Sequence, residues 1–135
     1  MVDRRMPRIQ EIILPVLRAG LPEVTVTSWV PDVDHRSYPL VNVRRVGGTP
    51  VDMEFLDRQT IELQAFGTES LADTENLFLD ARQIIWGMVR DQMVTPAGYL
   101  HSFADTSGAI QLGSPYTDTW RVQGLIQLGV RPPKP

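Results

Sequence analysis

The sequence contains no cysteine. That absence removes disulfide frameworks, thiolate zinc sites, iron–sulfur clusters and cysteine nucleophiles together, and it suits assembly in a reducing cytosol. Lysine is almost absent as well: Lys134 is the only one among 13 basic residues. The positive charge is therefore arginine, a bias that a GC-rich genome explains as readily as a need for bidentate contacts. Basic charge is itself in deficit, with 16 acidic residues, a net charge of −3 and a pI near 5.3. Domains that wrap nucleic acid by releasing counterions carry the opposite balance, so strong DNA binding is not expected. No stretch approaches the roughly 18 apolar residues of a membrane span. The opening MVDRRMPRIQ lacks the apolar centre and small-residue cleavage site of a secretory signal. The expectation is a soluble, unexported protein that makes no use of a membrane.

What is present suffices for one core. A chain of 135 residues with 42% hydrophobic residues reads as a single domain, 1–135, able to stand without disulfides or metals. No internal repeat or low-complexity segment divides it. Between Met6 and Ala19 the residues Ile9, Ile12, Ile13, Val16 and Leu17 fall at the spacing of a helix with one buried face. Pro15 interrupts that pattern and is expected to kink or break the helix, and Gly20 with Pro22 marks its stop. From Glu23 to Val30 the period changes to two, the sign of a strand, and Pro31 ends it. The segment from Pro31 to Pro39 reads as a polar surface loop.

A further β-rich run, Leu40 to Val46, meets the turn signal Gly47-Gly48, after which Thr49 to Asp57 shows neither period and reads as a long excursion. Gln59 to Phe66 alternates cleanly and Gly67 closes it. Thr68 or Ser70 can cap the next helix, which carries Leu77, Phe78, Ala81, Ile84, Ile85, Met88 and Val89 as a broad apolar stripe to about Asp91. Tyr99 to Ala104 and Ala109 to Leu112 look like short strands around an Asp105-Thr106-Ser107-Gly108 hairpin turn. The run from Trp120 to Arg131 alternates again until Pro132 and Pro133. Strands in runs, with helices on one side, predict an α+β fold: a mainly antiparallel sheet or sandwich with an N-terminal helix and one long central helix packed on one face.

Candidate chemistry is sparse. His35 in Asp32-Val33-Asp34-His35 offers imidazole and carboxylate ligands, yet a solvated acidic loop has the same composition. His101 alternates with Tyr99 and Phe103, which suits a half-buried cross-strand neighbour better than a base. The serines lie in caps and turns and lack a nucleophile elbow. Gly47-Gly48-Thr49-Pro50 lacks the lysine and following helix of a phosphate loop. Neither a catalytic constellation nor a cofactor or metal site is expected. The unusual segment is Val51-Asp52-Met53-Glu54-Phe55-Leu56-Asp57, where large apolar residues stand among acids inside an apparent loop. Such residues either mark a partner surface or tuck back beneath the loop as a satellite of the core. Trp29 raises the same question on its strand.

Taken in order, these pieces resemble the tail terminator proteins of long-tailed, siphovirus-like bacteriophages, those of actinobacteriophages especially. The residues that carry the resemblance are Leu17-Arg18-Ala19-Gly20 closing the first helix, Val24-Thr25-Val26, and Pro39-Leu40-Val41-Asn42-Val43 leading to Gly47-Gly48. They continue with Asp57-Arg58-Gln59-Thr60-Ile61-Glu62-Leu63-Gln64-Ala65-Phe66-Gly67 entering the long helix, and end with Arg121-Val122-Gln123-Gly124-Leu125-Ile126-Gln127-Leu128-Gly129-Val130-Arg131. The resemblance spans nearly the whole chain and rests on structural rather than catalytic motifs.

It implies a virion structural protein without enzymatic activity or cofactor. In the host cytoplasm it would assemble as a homo-oligomeric, hexameric ring on the head-proximal end of the tail tube. There, at the tail–neck junction, it would stop polymerisation of the major tail tube protein and join the tail to a head connector or stopper protein. Genomic DNA would pass through the ring without specific binding, and acids in the lumen would let it slide. A ring requires two different patches that match, and Met53, Glu54, Phe55, Leu56 and Asp57 are the candidate subunit or tail-tube contacts. Another neck component, such as a head-completion or connector protein, is the nearest alternative. A small α+β enzyme or ligand-binding domain is the more distant one, and it requires Asp32, Asp34, His35 and His101 to converge.

Overall fold

Helix α1 (Ile9–Gly20) turns its buried side, Ile9, Ile12, Ile13, Leu14 and Leu17, toward the interior. It has no side-chain N-cap, and it passes through Pro15 as one continuous helix. Pro15 is exposed, so the carbonyl that its missing N–H leaves unpaired can bond water. An interior proline costs about 3 kcal/mol, an amount that burial of two aliphatic side chains at roughly 1.5–3 kcal/mol each offsets. The expected break is therefore not made. These positions come from a computed structural model that describes residues 5–31 and 36–133.

Among the described residues, the expected Glu23–Val30 run pairs as strand β1 (Thr25–Thr27), which lies parallel to the start of β2 (Leu40–Asp52). Arg18 fixes it to α1 by donating from Nε and Nη2 to the Val26 carbonyl at 3.3 and 3.0 Å. β2 and β3 (Leu56–Gly67) form a long antiparallel hairpin. The expected excursion from Thr49 to Asp57 is its outer end, and Gly47-Gly48 is no turn: it pairs with Thr60 and Gln59 inside β2, directly after a register shift at Val46. Gly48 has φ 108°, and a Cβ there would meet the Arg58 carbonyl oxygen at 2.0 Å, which only glycine tolerates.

Helix α2 (Leu71–Arg90) begins where Ser70 Oγ accepts from the Asp73 N–H at 3.0 Å. After it come β4 (Val94–Thr95), β5 (Gly98–Leu112) and β6 (Trp120–Arg131). The hairpin expected at Asp105–Gly108 does not form. β5 is one strand that pairs with β6 along its length and absorbs the turn-like residues as register shifts, between Leu100 and Ser102, Asp105 and Ser107, and Ser107 and Ile110. The first shift leaves His101 without a register partner on β6. Because it adds one residue, Leu100 and Phe103 both reach the helix-covered core, so Phe103 does not share a simple alternation with Tyr99 and His101.

Among the described residues six strands form one sheet in the order β1-β2-β3-β6-β5-β4, antiparallel except for the β1–β2 pair. The expected α+β class holds, with a single sheet rather than two. One face carries Val41, Val43, Ile61, Leu63, Val122, Ile126 and Leu128 into a core shared with α1 and α2. Gly124 leaves room there for Phe78, whose Cζ would lie 2.6 Å from a Cβ at that position. The other face is polar. Thr27 meets Asn42 at 3.4 Å, Asn42 Nδ2 donates to Gln64 Oε1 at 3.1 Å, and Gln64 Nε2 donates to Gln123 Oε1 at 3.0 Å. This ladder satisfies amides that are nearly buried at Asn42 and Gln64.

Candidate functional site

The β2–β3 hairpin ends in a turn that its own sequence builds. Asp52 Oδ1 accepts from the backbone N–H groups of Glu54 at 2.9 Å and Phe55 at 3.2 Å, the local bonding by which aspartate stabilises turns. The turn holds Met53 and Phe55 in solvent, 75% and 54% exposed, with Val51 beside them at 55%. Glu54 is exposed as well, and Leu56 is half-buried. Asp57 points the other way. It is 6% exposed, and its Oδ2 accepts from Gln59 Nε2 at 2.9 Å and from Arg45 Nη1 at 3.4 Å. Gln59 also donates to the Pro7 carbonyl at 3.3 Å, so Asp57 belongs to a polar clamp between the base of the hairpin and the segment leading into α1. Its Oδ1 and the Gln59 Oε1 have no hydrogen-bond partner among the described residues.

Of the five residues expected to make contacts, the structure thus brings Met53, Glu54 and Phe55 together at an exposed tip, leaves Leu56 at its neck and buries Asp57 behind it. Sequence reading missed Val46 on the same arm, 43% exposed. The β2 bulges break the alternation that would have revealed the arm as paired strand.

A second apolar stretch lies on the solvent side of α2. Leu79 and Trp86 are 50% and 37% exposed, and the Trp86 ring meets Phe103 of β5 edge-on at 5.6 Å. Arg82 lies over Phe103 at 5.0 Å and donates from Nε to Asp105 Oδ1 at 3.1 Å. That bond to the carboxylate raises the guanidinium above its ordinary pKa. Trp29 is 67% exposed and borders a hollow of about 380 Å³ over the polar sheet face, with Arg44, Glu62, Tyr116 and Arg121 around it. A groove of about 350 Å³ runs between Leu21, Val24 and Tyr38 on one side and Asp73 and Leu77 of α2 on the other.

His101 is exposed on β5. Asp32, Asp34 and His35 lie outside the described residues, and with them the convergence that an enzyme reading requires. Among the described residues no group of three or more histidine, aspartate or glutamate side chains is placed to hold a metal ion, and no helix is long and apolar enough to cross a membrane.

The fold defines an α+β domain whose most prominent exposed chemistry is apolar side chains on a projecting hairpin. The chain belongs to the phage tail termination protein family, whose sequence pattern matches residues 5–135. It is 46% identical over 134 residues to the Gene 22 protein of Mycobacterium phage L5 and 41% identical over 133 residues to that of Mycobacterium phage D29, each match covering 96% of both chains. The expected kinship with terminators of actinobacteriophages therefore stands. A chain of the solved "Virion of native gene transfer agent (GTA) particle" shares the fold at a TM-score of 0.51 and 15% identity, over 86% of this chain and 84% of that one. The protein is accordingly a tail-associated structural protein of a bacteriophage.

Proposed function

We propose that this protein forms a hexameric ring on the head-proximal end of the tail tube, ends tube polymerisation there and presents a docking surface to the head connector or stopper protein. The domain acts as one unit over residues 1–135 and performs no catalysis. It assembles in the host cytoplasm and remains in the virion at the tail–neck junction. Membership of the termination family carries the reading. The exposed Met53 and Phe55 support it, because apolar side chains held in solvent by a built turn lower the free energy once a partner covers them. Met53, Glu54, Phe55 and Leu56 make the contact, and Asp57 holds the hairpin that presents them. Genomic DNA passes through the ring without specific binding, consistent with a net charge of −3.

The test is polymerisation of the major tail tube protein with and without this chain, imaged by negative-stain electron microscopy. Tubes of limited length with a ring at one end are expected. Tubes that grow uncapped would falsify the terminator role and move the search for a partner to the head.

A further inference from the structure

Among the described residues, two strands of the sheet have a neighbouring strand on one side only for most of their length. β1 covers β2 at Leu40–Asn42, which leaves Val43 to Asp52 open, and β4 covers β5 at Gly98 and Tyr99, which leaves Leu100 to Leu112 open. Every residue from Arg44 to Asp52 and from Ala104 to Gln111 is exposed. An open edge of this length is a template for another strand, and this sheet has one on each side.

Three observations identify the strand that fits. The first is direction. β2 to β3, β3 to β6 and β6 to β5 are all antiparallel, so β2 and β5 run opposite ways. Copies related by rotation about an axis along the strands would meet β5 to β2 in antiparallel fashion, continuing the alternation. The second is level. Gly47, Thr60, Gln127 and Ala104 lie opposite one another across β2, β3, β6 and β5, as do Thr49, Arg58, Gly129 and Ser102. The corner strands β1 and β4 block opposite ends, so the stretches they leave open share these same levels. The third is charge. Arg44 and Arg45 are the only charged residues on β2 before Asp52, and Asp105 is the only acid on β5. Arg45 and Asp105 stand on one level, with Ile61 and Ile126 between them. A level, parallel β2–β2 pairing would set Arg45 against Arg45, whereas pairing β2 with β5 brings Arg45 of one copy opposite Asp105 of the next, where each adds to the ion pair that it makes in its own chain with Asp57 or Arg82.

We propose that the open stretch of β2 in one copy pairs with the open stretch of β5 in a second copy, Gly47 opposite Ala104. The contact is heterologous, as a ring requires, and repeated around the ring it joins the sheets and removes their free edges. The inference rests on the ring reading above and names its subunit contact, leaving the Met53–Phe55 tip for the tube or connector.

The cysteine-free sequence makes the test direct. A side chain at Gly47 meets nothing within 4 Å and Ala104 is exposed, so Gly47→Cys and Ala104→Cys variants are expected to fold. Each is added to polymerising tube protein, alone or as an equal mixture, then oxidised and run on a denaturing gel. A covalent dimer is expected only from the mixture, and the double variant should give a ladder ending at the subunit number of the ring. Thr49→Cys with Ser102→Cys tests the neighbouring level. Rings visible at tube ends with no cross-link at either level, or a cross-link in one variant alone, would overturn the edge contact. Absence of rings would overturn the ring reading and this inference together.

Discussion

Within β6, one residue step separates the core from solvent. Ile126 is fully buried, while Gln127 beside it faces the polar side of the sheet. Ile126→Asp places an unpaired carboxylate in the core and is expected to cost more than about 4 kcal/mol, enough to unfold a domain of ordinary stability. Gln127→Asp should cost about 1 kcal/mol or less. Urea denaturation followed by circular dichroism distinguishes them, and similar midpoints for the two would show that the assigned register is wrong. A second pair uses glycine. Gly124→Ala forces a methyl against the Phe78 ring and the Ser107 carbonyl oxygen, with an expected loss of about 1–3 kcal/mol. Gly47→Ala, with open space around it, should leave stability nearly unchanged. Ser70→Ala removes the acceptor for the Asp73 N–H and should cost about 1 kcal/mol.

For the elements, legibility followed periodicity. α2 and β6 present one buried face over many residues, and the spacing of Leu77, Phe78, Ala81 and Ile85, or of Val122, Ile126 and Leu128, was sufficient to place them. The hairpin arm and β5 were not legible because bulges shift the alternation by one residue, and glycines that suit turns suit bulges equally. Asp105-Thr106-Ser107-Gly108 has the composition of a turn, but pairing with β6 holds it extended. Pro15 misled for a related reason: propensity acts locally, whereas five buried residues of α1 act together. The tip gives a prediction at this scale. Phe55→Ser combined with Leu56→Ser should leave the thermal midpoint within a few degrees of the parent, a loss of no more than about 1 kcal/mol, while weakening tube capping in the electron-microscopy assay. Collapse of the folded monomer would instead assign both residues to the core.

At the scale of the whole molecule, the structure separates surfaces that the sequence mixes. The core lies between the helices and one sheet face, an amide ladder crosses the other, and apolar residues stand at the hairpin tip and along α2. If the tip makes the tube contact, the double serine variant should form rings that fail to cap, whereas a block at the β2 or β5 edge should prevent rings. Light scattering of the isolated protein combined with imaging of tube ends tells these outcomes apart. The candidate contact was only partly legible. Met53 and Phe55 stood out as large apolar residues among acids, but Asp57 next to them is buried, and nothing in its neighbours' composition signals that. Its orientation follows from the strand phase at the base of the hairpin, where alternate side chains enter the core.

Read alone, the sequence carries the class of the fold, both helices and the alternating strands Gln59–Phe66 and Trp120–Arg131, each in the spacing of its apolar residues, and it resembles the family through the motifs quoted above. It also excluded cysteine chemistry outright. Only the folded chain shows that Thr49–Asp52 and Leu56–Asp57 pair as strands around a turn at Met53–Phe55, that β5 is continuous, which side of the hairpin Asp57 faces and where the sheet edges remain open. Those features depend on which distant strand supplies the hydrogen bonds, and a strand's partner is set by packing of the whole core rather than by its own residues.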